Sequence, residues 1–304
     1  MSGAAEVGNV YSAIEESARL LDVACSRDNV VPILTAYGDA LTDSVIVFSM
    51  ATGKRHAGEL DYSFVMLPKE ADPYKLALSN GLIPATDHPV GALPADIDER
   101  CPVESYGADF GVVGGFKKTY SVFPVDDLQS VSKLAEIPSM PRSVADNADL
   151  FARYGLGDKV KMIGIDYLSR TMNLYFAMLP PEFRERESLL PMLSEMGLPE
   201  PSEQLLEFAQ NAFSVYPTLS WDSSKIERIC FAGITAGPVV LPAQIDPEVD
   251  QFARSAPYAY TGNRVLVHGN TLSPDGEYYK LGSYYQLPAH ARKLMVTFDV
   301  IEEE

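Results

Sequence analysis

Cysteine, histidine and tryptophan are scarce in this sequence, with three, four and one respectively in 304 residues. Cys25, Cys101 and Cys230 are odd in number, far apart and without a CxxC pair, which excludes a disulfide framework or a zinc site. They suit a reducing, cytoplasmic setting. His56, His88, His268 and His290 have no metal-ligand spacing such as HExxH. Basic residues are also few: Lys+Arg 24 against Asp+Glu 42 gives −18, so neither nucleic acid nor an anionic membrane is an expected partner. No apolar run is long enough to span a bilayer. The longest uncharged stretch, Ile229–Ile245, is broken by Pro238 and Pro242 and two glycines. The start, MSGAAEVGN, lacks the basic and apolar regions of a signal peptide. Gly111, Gly114 and Gly115 precede no GK[ST] and read as turn glycines. Asp126-Asp127-Leu128-Gln129-Ser130 lacks the closing aspartate of DDxxD and reads as an acidic helix N-terminus.

What is present is a globular composition, 46% hydrophobic and 22% charged. Helical periodicity covers residues 5–23 and 28–41. Asp72-Pro73 opens a helix that Gly81 stops, and further helices are expected at 91–100, 126–136, 143–155 (closed by Gly155), 181–197, 202–211, 247–256 and 289–302. Strand-like runs fall at 44–51, 58–67, 103–112, 116–123, 159–166, 170–178, 213–220, 225–234, 263–270 and 277–287. Hairpin turns near residues 55, 114, 168, 223 and 274 are spaced by 59, 54, 55 and 51. A near-constant interval with the same element order marks a repeat of two helices and a β-hairpin. Five antiparallel hairpins give ten strands, which can close into a barrel with a lumen too wide for side chains to fill. The expected fold class is α+β: one domain over 1–304, a ten-stranded antiparallel barrel of five ααββ repeats ringed by helices, with a solvent-filled lumen. A (β/α)8 barrel is disfavoured because its strands alternate singly with helices.

The inner face is read from alternation. In EYYKLGSYYQL (277–287), Tyr278, Lys280, Tyr284 and Gln286 share one face, opposite Tyr279, Leu281, Tyr285 and Leu287. Read alone, a lysine between tyrosines is an edge strand with a gatekeeper. The same polar and aromatic face recurs, however. Asp61 and Ser63 oppose Leu60, Tyr62, Phe64 and Met66. Lys118 pairs with Tyr120. Ser169, Thr171, Asn173 and Tyr175 oppose Met172, Leu174 and Phe176. Ser214, Tyr216 and Thr218 alternate against Val215 and Leu219, with Arg228 on the partner strand. The inward set, Tyr278 aside, is thus one acid, three cations, an asparagine, hydroxyls and four tyrosines.

Lys118, Arg228 and Lys280, aided by Asn173, suit a diphosphate, and Asp61 suits a Mg²⁺ shared with it. Tyr120, Tyr175, Tyr216 and Tyr284 offer ring faces, each worth ~0.5–2 kcal/mol to a desolvated cation. Together they describe ionisation of an allylic prenyl diphosphate and capture of the carbocation by an aromatic ring. The competing reading is a non-catalytic barrel that carries an isoprenoid or aromatic ligand. Buried charge speaks against it, because a carrier of neutral molecules gains nothing from burying cations.

GELDYSF (58–64), GGFKKTY (114–120), IPSMP (137–141), DNADLFARYGL (146–156), NLYF (173–176), FSVYPTL (213–219) and SPDGEYYKLGSYY (273–285) resemble the NphB-type aromatic prenyltransferases, the ABBA or PT-barrel family. The resemblance implies bacterial secondary metabolism, a geranyl or similar diphosphate as donor, a phenolic, naphthalene or polyketide acceptor, and Mg²⁺. A monomer is expected. By the same resemblance Asp61 is the Mg²⁺ ligand, and Lys118, Asn173, Arg228 and Lys280 contact diphosphate. Tyr120, Tyr175, Phe213, Ser214, Tyr216, Tyr284 and Leu294 then line the prenyl or acceptor site, with Val47, Ser49 and Ser63 on the first two strands. Four positions depart from the family pattern. Ser169 stands in place of a diphosphate-binding lysine, Lys161 in place of a glutamine beside the acceptor, and His290 and Ala291 in place of an aliphatic residue and a glutamine in the closing helix. Lys161 is therefore expected either to make good the cation missing at Ser169 or to contact an acidic or phenolate acceptor.

Overall fold

Helix pairs and hairpins alternate along the chain. The structure, a computed structural model, describes residues 3–53, 56–237, 245–297 and 301. Among these, ten strands occur: β1 Val45–Ala51, β2 Asp61–Leu67, β3 Ser105–Gly111, β4 Gly115–Val122, β5 Val160–Asp166, β6 Thr171–Phe176, β7 Ser214–Ser220, β8 Arg228–Ala236, β9 Val265–Ser273 and β10 Gly276–Gln286. The helices are α1 Gly3–Leu20, α2 Arg27–Ala36, α3 Gly38–Leu41, α4 Pro73–Ser79, α5 Pro89–Arg100, α6 Val131–Ala135, α7 Arg142–Asp146, α8 Ala148–Arg153, α9 Arg186–Glu195, α10 Glu203–Gln210, α11 Pro247–Ser255 and α12 Ala289–Thr297. No helix among the described residues is long and apolar enough to cross a membrane. The turn expected near residue 55 and most of 298–302 lie outside the described residues.

Each strand pairs antiparallel with its sequence neighbours, and β10 pairs with β1, so the sheet closes. The four hairpin turns that lie wholly within the described residues fall at one end of the barrel, and the helical connections leave from the other. Alternation decides what faces where. Along β2, buried Tyr62 and Phe64 alternate with partly exposed Asp61 and Ser63. The buried set points outward and packs under the helices, where Ile46, Phe48, Phe110, Phe176 and Phe231 meet Ile14, Leu34, Leu93, Phe151, Leu189 and Phe252. The core is therefore a shell between sheet and helices, and the inner face is left for other work.

Local signals start and stop the helices as the sequence implies. Asp72 caps α4 through Tyr74 N and Lys75 N, both at 3.0 Å, with Pro73 in the first turn. Gly155 follows α8 with φ 72°, the left-handed turn that glycine permits. Two helices are shorter than expected. The segment 126–136 is helical only over α6, because the backbone of Gln129 bridges Val160 and extends the sheet. The segment 143–155 breaks at Asn147, whose side chain donates to Ser143 O at 2.7 Å and Ser224 O at 2.8 Å.

The shell also holds a buried imidazole. His268 is buried, with Nε2 2.8 Å from Thr235 Oγ1 and Nδ1 against the Tyr279 hydroxyl. Burial holds its pKa down to about 4. Because the folded value lies below the unfolded one, its contribution is complete above pH ~6.5 and is lost as pH falls through about 4. Thermal melts from pH 7 to pH 4 should show this as a loss of roughly 3 kcal/mol that His268→Gln largely removes.

Candidate active site

Directly opposed residues of an antiparallel ladder project to the same face, so the register can be followed around the barrel. Ser49 opposes Asp61, and Val47 opposes Ser63. Ser63 opposes Asp109, Asp109 opposes Lys118, and Lys118 opposes Asp166. Tyr120 lies against Gly164, Gly164 against Asn173, Asn173 against Thr218, and Thr218 against Arg228. Met162 opposes Tyr175, Ser214 opposes Ala232, Ala232 opposes Gly269, Gly269 opposes Lys280, and Tyr284 opposes Val47. The strand residues expected inside thus share one lumen: Asp61, Ser63, Lys118, Tyr120, Asn173, Tyr175, Ser214, Tyr216, Arg228, Lys280, Tyr284, Val47 and Ser49.

Charge collects at the hairpin end. Lys118 Nζ lies 3.6 Å from Asp166, Arg228 lies 3.7 Å from Glu227, and Lys280 Nζ stands 5.5 Å from the Tyr278 ring centre with no carboxylate partner among the described residues. Burial, reinforced by the neighbouring cations, holds Lys118 and Lys280 below the usual lysine range. Asn173 accepts from Thr218 Oγ1 at 3.0 Å, and its amide donates to the Tyr175 hydroxyl at 3.3 Å. The lumen holds more acid than the one residue expected, since Asp109 and Asp166 face it as well. Asp109 accepts a short hydrogen bond from the Tyr120 hydroxyl, and Asp166 also accepts Ser169 N at 2.8 Å.

Asp61, the expected Mg²⁺ ligand, already has a cation. Lys117 Nζ lies 2.9 Å from both of its carboxylate oxygens. Burial pulls the Lys117 pKa down, but Asp61 outweighs it and carries the ammonium above its ordinary value. No group of three or more His, Cys, Asp or Glu among the described residues is placed to hold a metal ion. As arranged, Asp61 is committed to Lys117 and is not a vacant donor for a metal. Strand alternation alone aims Lys117 at the outer shell. A register shift between β3 and β4 makes it an extra residue, with Asp109 opposite Lys118 but Phe110 opposite Phe116, and turns it to Asp61. The visible signal was two consecutive lysines beside Gly114-Gly115.

Aromatic rings form the next layer. Tyr175 stacks on Tyr216 with centroids 4.3 Å apart, and Tyr120 meets Tyr175 edge-on at 5.9 Å. Burial and then Asp109 push the Tyr120 hydroxyl well above its ordinary pKa, so it remains a neutral donor. Beyond the rings, at the helix-connected end, Val45, Val47, Val265, Tyr284, Leu287 and Ala291 form an apolar cluster.

Three expectations are corrected here. Lys161 does not join the charged layer: its ammonium takes the Phe123 carbonyl and, at 3.3 Å, Glu104. It also sits five residues from Asp166 along β5, about 16 Å, so it cannot replace the cation missing at Ser169. His290 and Leu294 do not close the lumen, since both are exposed. Ala291, Met295 and Val296 are the α12 residues that pack on the apolar cluster. The remaining correction is the count of inner acids given above.

Two glycines make room for Tyr120. A Cβ on Gly164 would stand 2.9 Å from Tyr120 Cε1 and 3.1 Å from Tyr175 Cε2, and one on Gly107 would stand 3.1 Å from Tyr120 Cδ2. The ring is hemmed on both sides, so Gly164→Ala should disturb the tyrosine layer and cost about 1–3 kcal/mol in denaturant melts. An unchanged melt would mean that the ring has room to move.

Comparison with known proteins agrees with this geometry. The aromatic prenyltransferase Orf2 family model matches residues 5–293. A 5,10-dihydrophenazine-1-carboxylate 9-dimethylallyltransferase of Streptomyces anulatus is 49% identical over 295 residues, covering 97% of this chain and 98% of that protein. A flaviolin linalyltransferase of Streptomyces virginiae is 49% identical over 292 residues, covering 96% of each. A furaquinocin biosynthesis prenyltransferase of Streptomyces sp. (strain KO-3988) is 48% identical over 283 residues, covering 93% and 91%. A closed ten-strand barrel, a lumen combining cations with tyrosines, and these relatives lead to one conclusion: the chain belongs to the Orf2 family of aromatic prenyltransferases.

Proposed function

We propose that this enzyme transfers a geranyl group from geranyl diphosphate to an electron-rich phenolic, naphthalene or polyketide ring. The observation that carries the reading is the polarity gradient along the lumen, with unpaired or weakly paired cations at the hairpin end, tyrosine rings in the middle and an apolar end beyond. A diphosphate at the first layer takes Lys118, Arg228, Lys280 and the Asn173 amide as donors. The donor C1–O bond breaks with its electron pair leaving on the diphosphate. The allylic cation is then held by the faces of Tyr120, Tyr175 and Tyr216, away from water. A carbon or oxygen of the acceptor attacks C1, and the displaced proton leaves to water or to the diphosphate. No lumen tyrosine acts as a base, because burial keeps these hydroxyls protonated. No step is routed through a metal ion.

A C10 donor suits the depth. Lys280 to Tyr284 spans about 13 Å of strand, enough for a chain that starts at the charged layer and ends against Val47. The direct test offers dimethylallyl, geranyl and farnesyl diphosphates against flaviolin, a dihydrophenazine carboxylate and a dihydroxynaphthalene. Pyrophosphate release should be coupled to a product heavier by one geranyl unit. A C5-only product would correct the chain length, and no release from any pair would remove the function.

Lys118 and Lys280 set the pH dependence. Only their ammonium forms bind diphosphate, and burial puts both pKa values below the ordinary ~10.5. The donor kcat/KM should therefore fall as pH rises, starting below the normal lysine range, and binding should take up protons on that limb. Replacing either by methionine should cost roughly 10²–10³ in kcat/KM. A profile flat to pH 10 would show that neither lysine titrates in the free enzyme.

A further inference from the structure

We propose that the Lys117 ammonium occupies the place beside the donor diphosphate where a divalent ion would sit, so that the diphosphate is bound and released without a metal. The inference rests on the proposed prenyl-diphosphate reading and deepens it. Three observations support it.

The first is the geometry of the pair. Nζ lies 2.9 Å from each Asp61 oxygen, so the edge that a bidentate metal would take is filled by the ammonium. An ammonium carries three donors, and two are used on Asp61; the third remains for a phosphate oxygen. The second is position. The side chains keep 27% and 28% exposure, which fits the wet mouth of the lumen better than a dry structural pair. Next along β4, Lys118 faces the same lumen, so a phosphate reaching one ammonium is close to the other.

The third is the commitment of the other acids. Asp109 holds the Tyr120 hydroxyl, and Asp166 lies beside Lys118 and holds Ser169 N. A metal on Asp61 would have to displace a paired ammonium, with no second carboxylate free to offset the added charge. In the reaction, the electron pair of the broken C1–O bond passes to the diphosphate. Lys117, with Lys118, Arg228 and Lys280, holds the charge that develops there, while Asp61 keeps the Lys117 side chain in position and charged.

The test titrates inorganic pyrophosphate calorimetrically into the full chain, in EDTA and in Mg²⁺, for wild type, Lys117→Gln and Asp61→Asn. Wild type should bind in EDTA within about threefold of its affinity in Mg²⁺. Loss of one charge-assisted hydrogen bond should weaken Lys117→Gln about 10- to 100-fold in EDTA, and Mg²⁺ should restore it once the carboxylate is vacated. Asp61→Asn should bind more weakly than wild type in EDTA, since it releases the Lys117 ammonium from its anchor; this variant decides the matter if Lys117→Gln does not fold, because a carboxylate that served only a metal would leave binding in EDTA unchanged or tighter. Wild-type binding that requires Mg²⁺, or Lys117→Gln behaving as wild type in EDTA, would overturn the proposal. Geranyl transfer to flaviolin in the same samples separates the two readings. The expected binding pattern with no transfer from any donor would sink the proposed function while upholding the assignment of Lys117.

Discussion

Lys118 and Lys280 place ammonium groups on the inner face of a closed sheet, and the cost of holding them there shapes the rest of the molecule. A buried cation without a full counter-charge is disfavoured by several kcal/mol unless water or an anion reaches it. A lumen filled by its own side chains could not keep them charged. Ten strands enclose a wider space than eight, wide enough for solvent and then for a ligand. The inner face thereby ceases to be a core, and folding has to find its apolar burial elsewhere. It does so on the outer face, where Phe48, Phe64, Phe110, Phe176 and Phe231 lie under the helices. The helical ring follows from what the inside was made to hold.

The two ends of the barrel differ because their connections differ. Hairpin turns bring no helix with them, so the end carrying Asp61, Lys117, Lys118, Asp166 and Arg228 is left wet. At the other end the helical connections and α12 bring apolar side chains against Val47 and Tyr284. An ionising donor needs this order: its leaving group is stabilised by charge and water, while the cation it leaves behind is destroyed by water. Tyr175 stacked on Tyr216, with Tyr120 edge-on, forms the boundary between the two regimes. Gly107 and Gly164 belong to that boundary as much as the rings do, because a side chain at either would move Tyr120.

Much of this was legible in the chain. The hairpin spacing located all five β-pairs, and the period-two pattern placed Asp61, Asn173, Arg228 and Lys280 on the face where the register puts them. What alternation could not supply is anything that breaks alternation or depends on distant packing. Lys117 is hidden because a bulge adds a residue to one strand and not to its partner. Asp109 sits in SYGADFG, where its glycine neighbours read as weak strand formers, and their purpose appears only once Tyr120 is seen lying over Gly107. His290 and Leu294 went to the wrong side of α12 because a helix offers several faces, and only contact with the apolar cluster selects Ala291 and Met295. The shortened α6 has the same origin: the Gln129 backbone found a partner in Val160, an interaction no local propensity encodes.

The aspartate on β2 shows how one residue type can carry opposite chemical meanings. Alone in a lumen beside phosphate ligands, a carboxylate is a hard oxygen donor and invites a divalent ion. With an ammonium on both oxygens it is an anchor, fixing a positive charge at the wet end of the lumen. The choice between these roles is made on the opposite side of β3, by whether the β4 strand carries one residue more than its partner beside the turn. A bulge of this kind is inexpensive for a barrel, because it adds its residue beside the turn, where the ladder ends. It turns an outward lysine into an inward one without altering any residue of the ring-lined layer below. Electrophile generation can therefore change its counter-charge independently of the surfaces that guide the carbocation to its acceptor, and the two parts of the site are separable by construction.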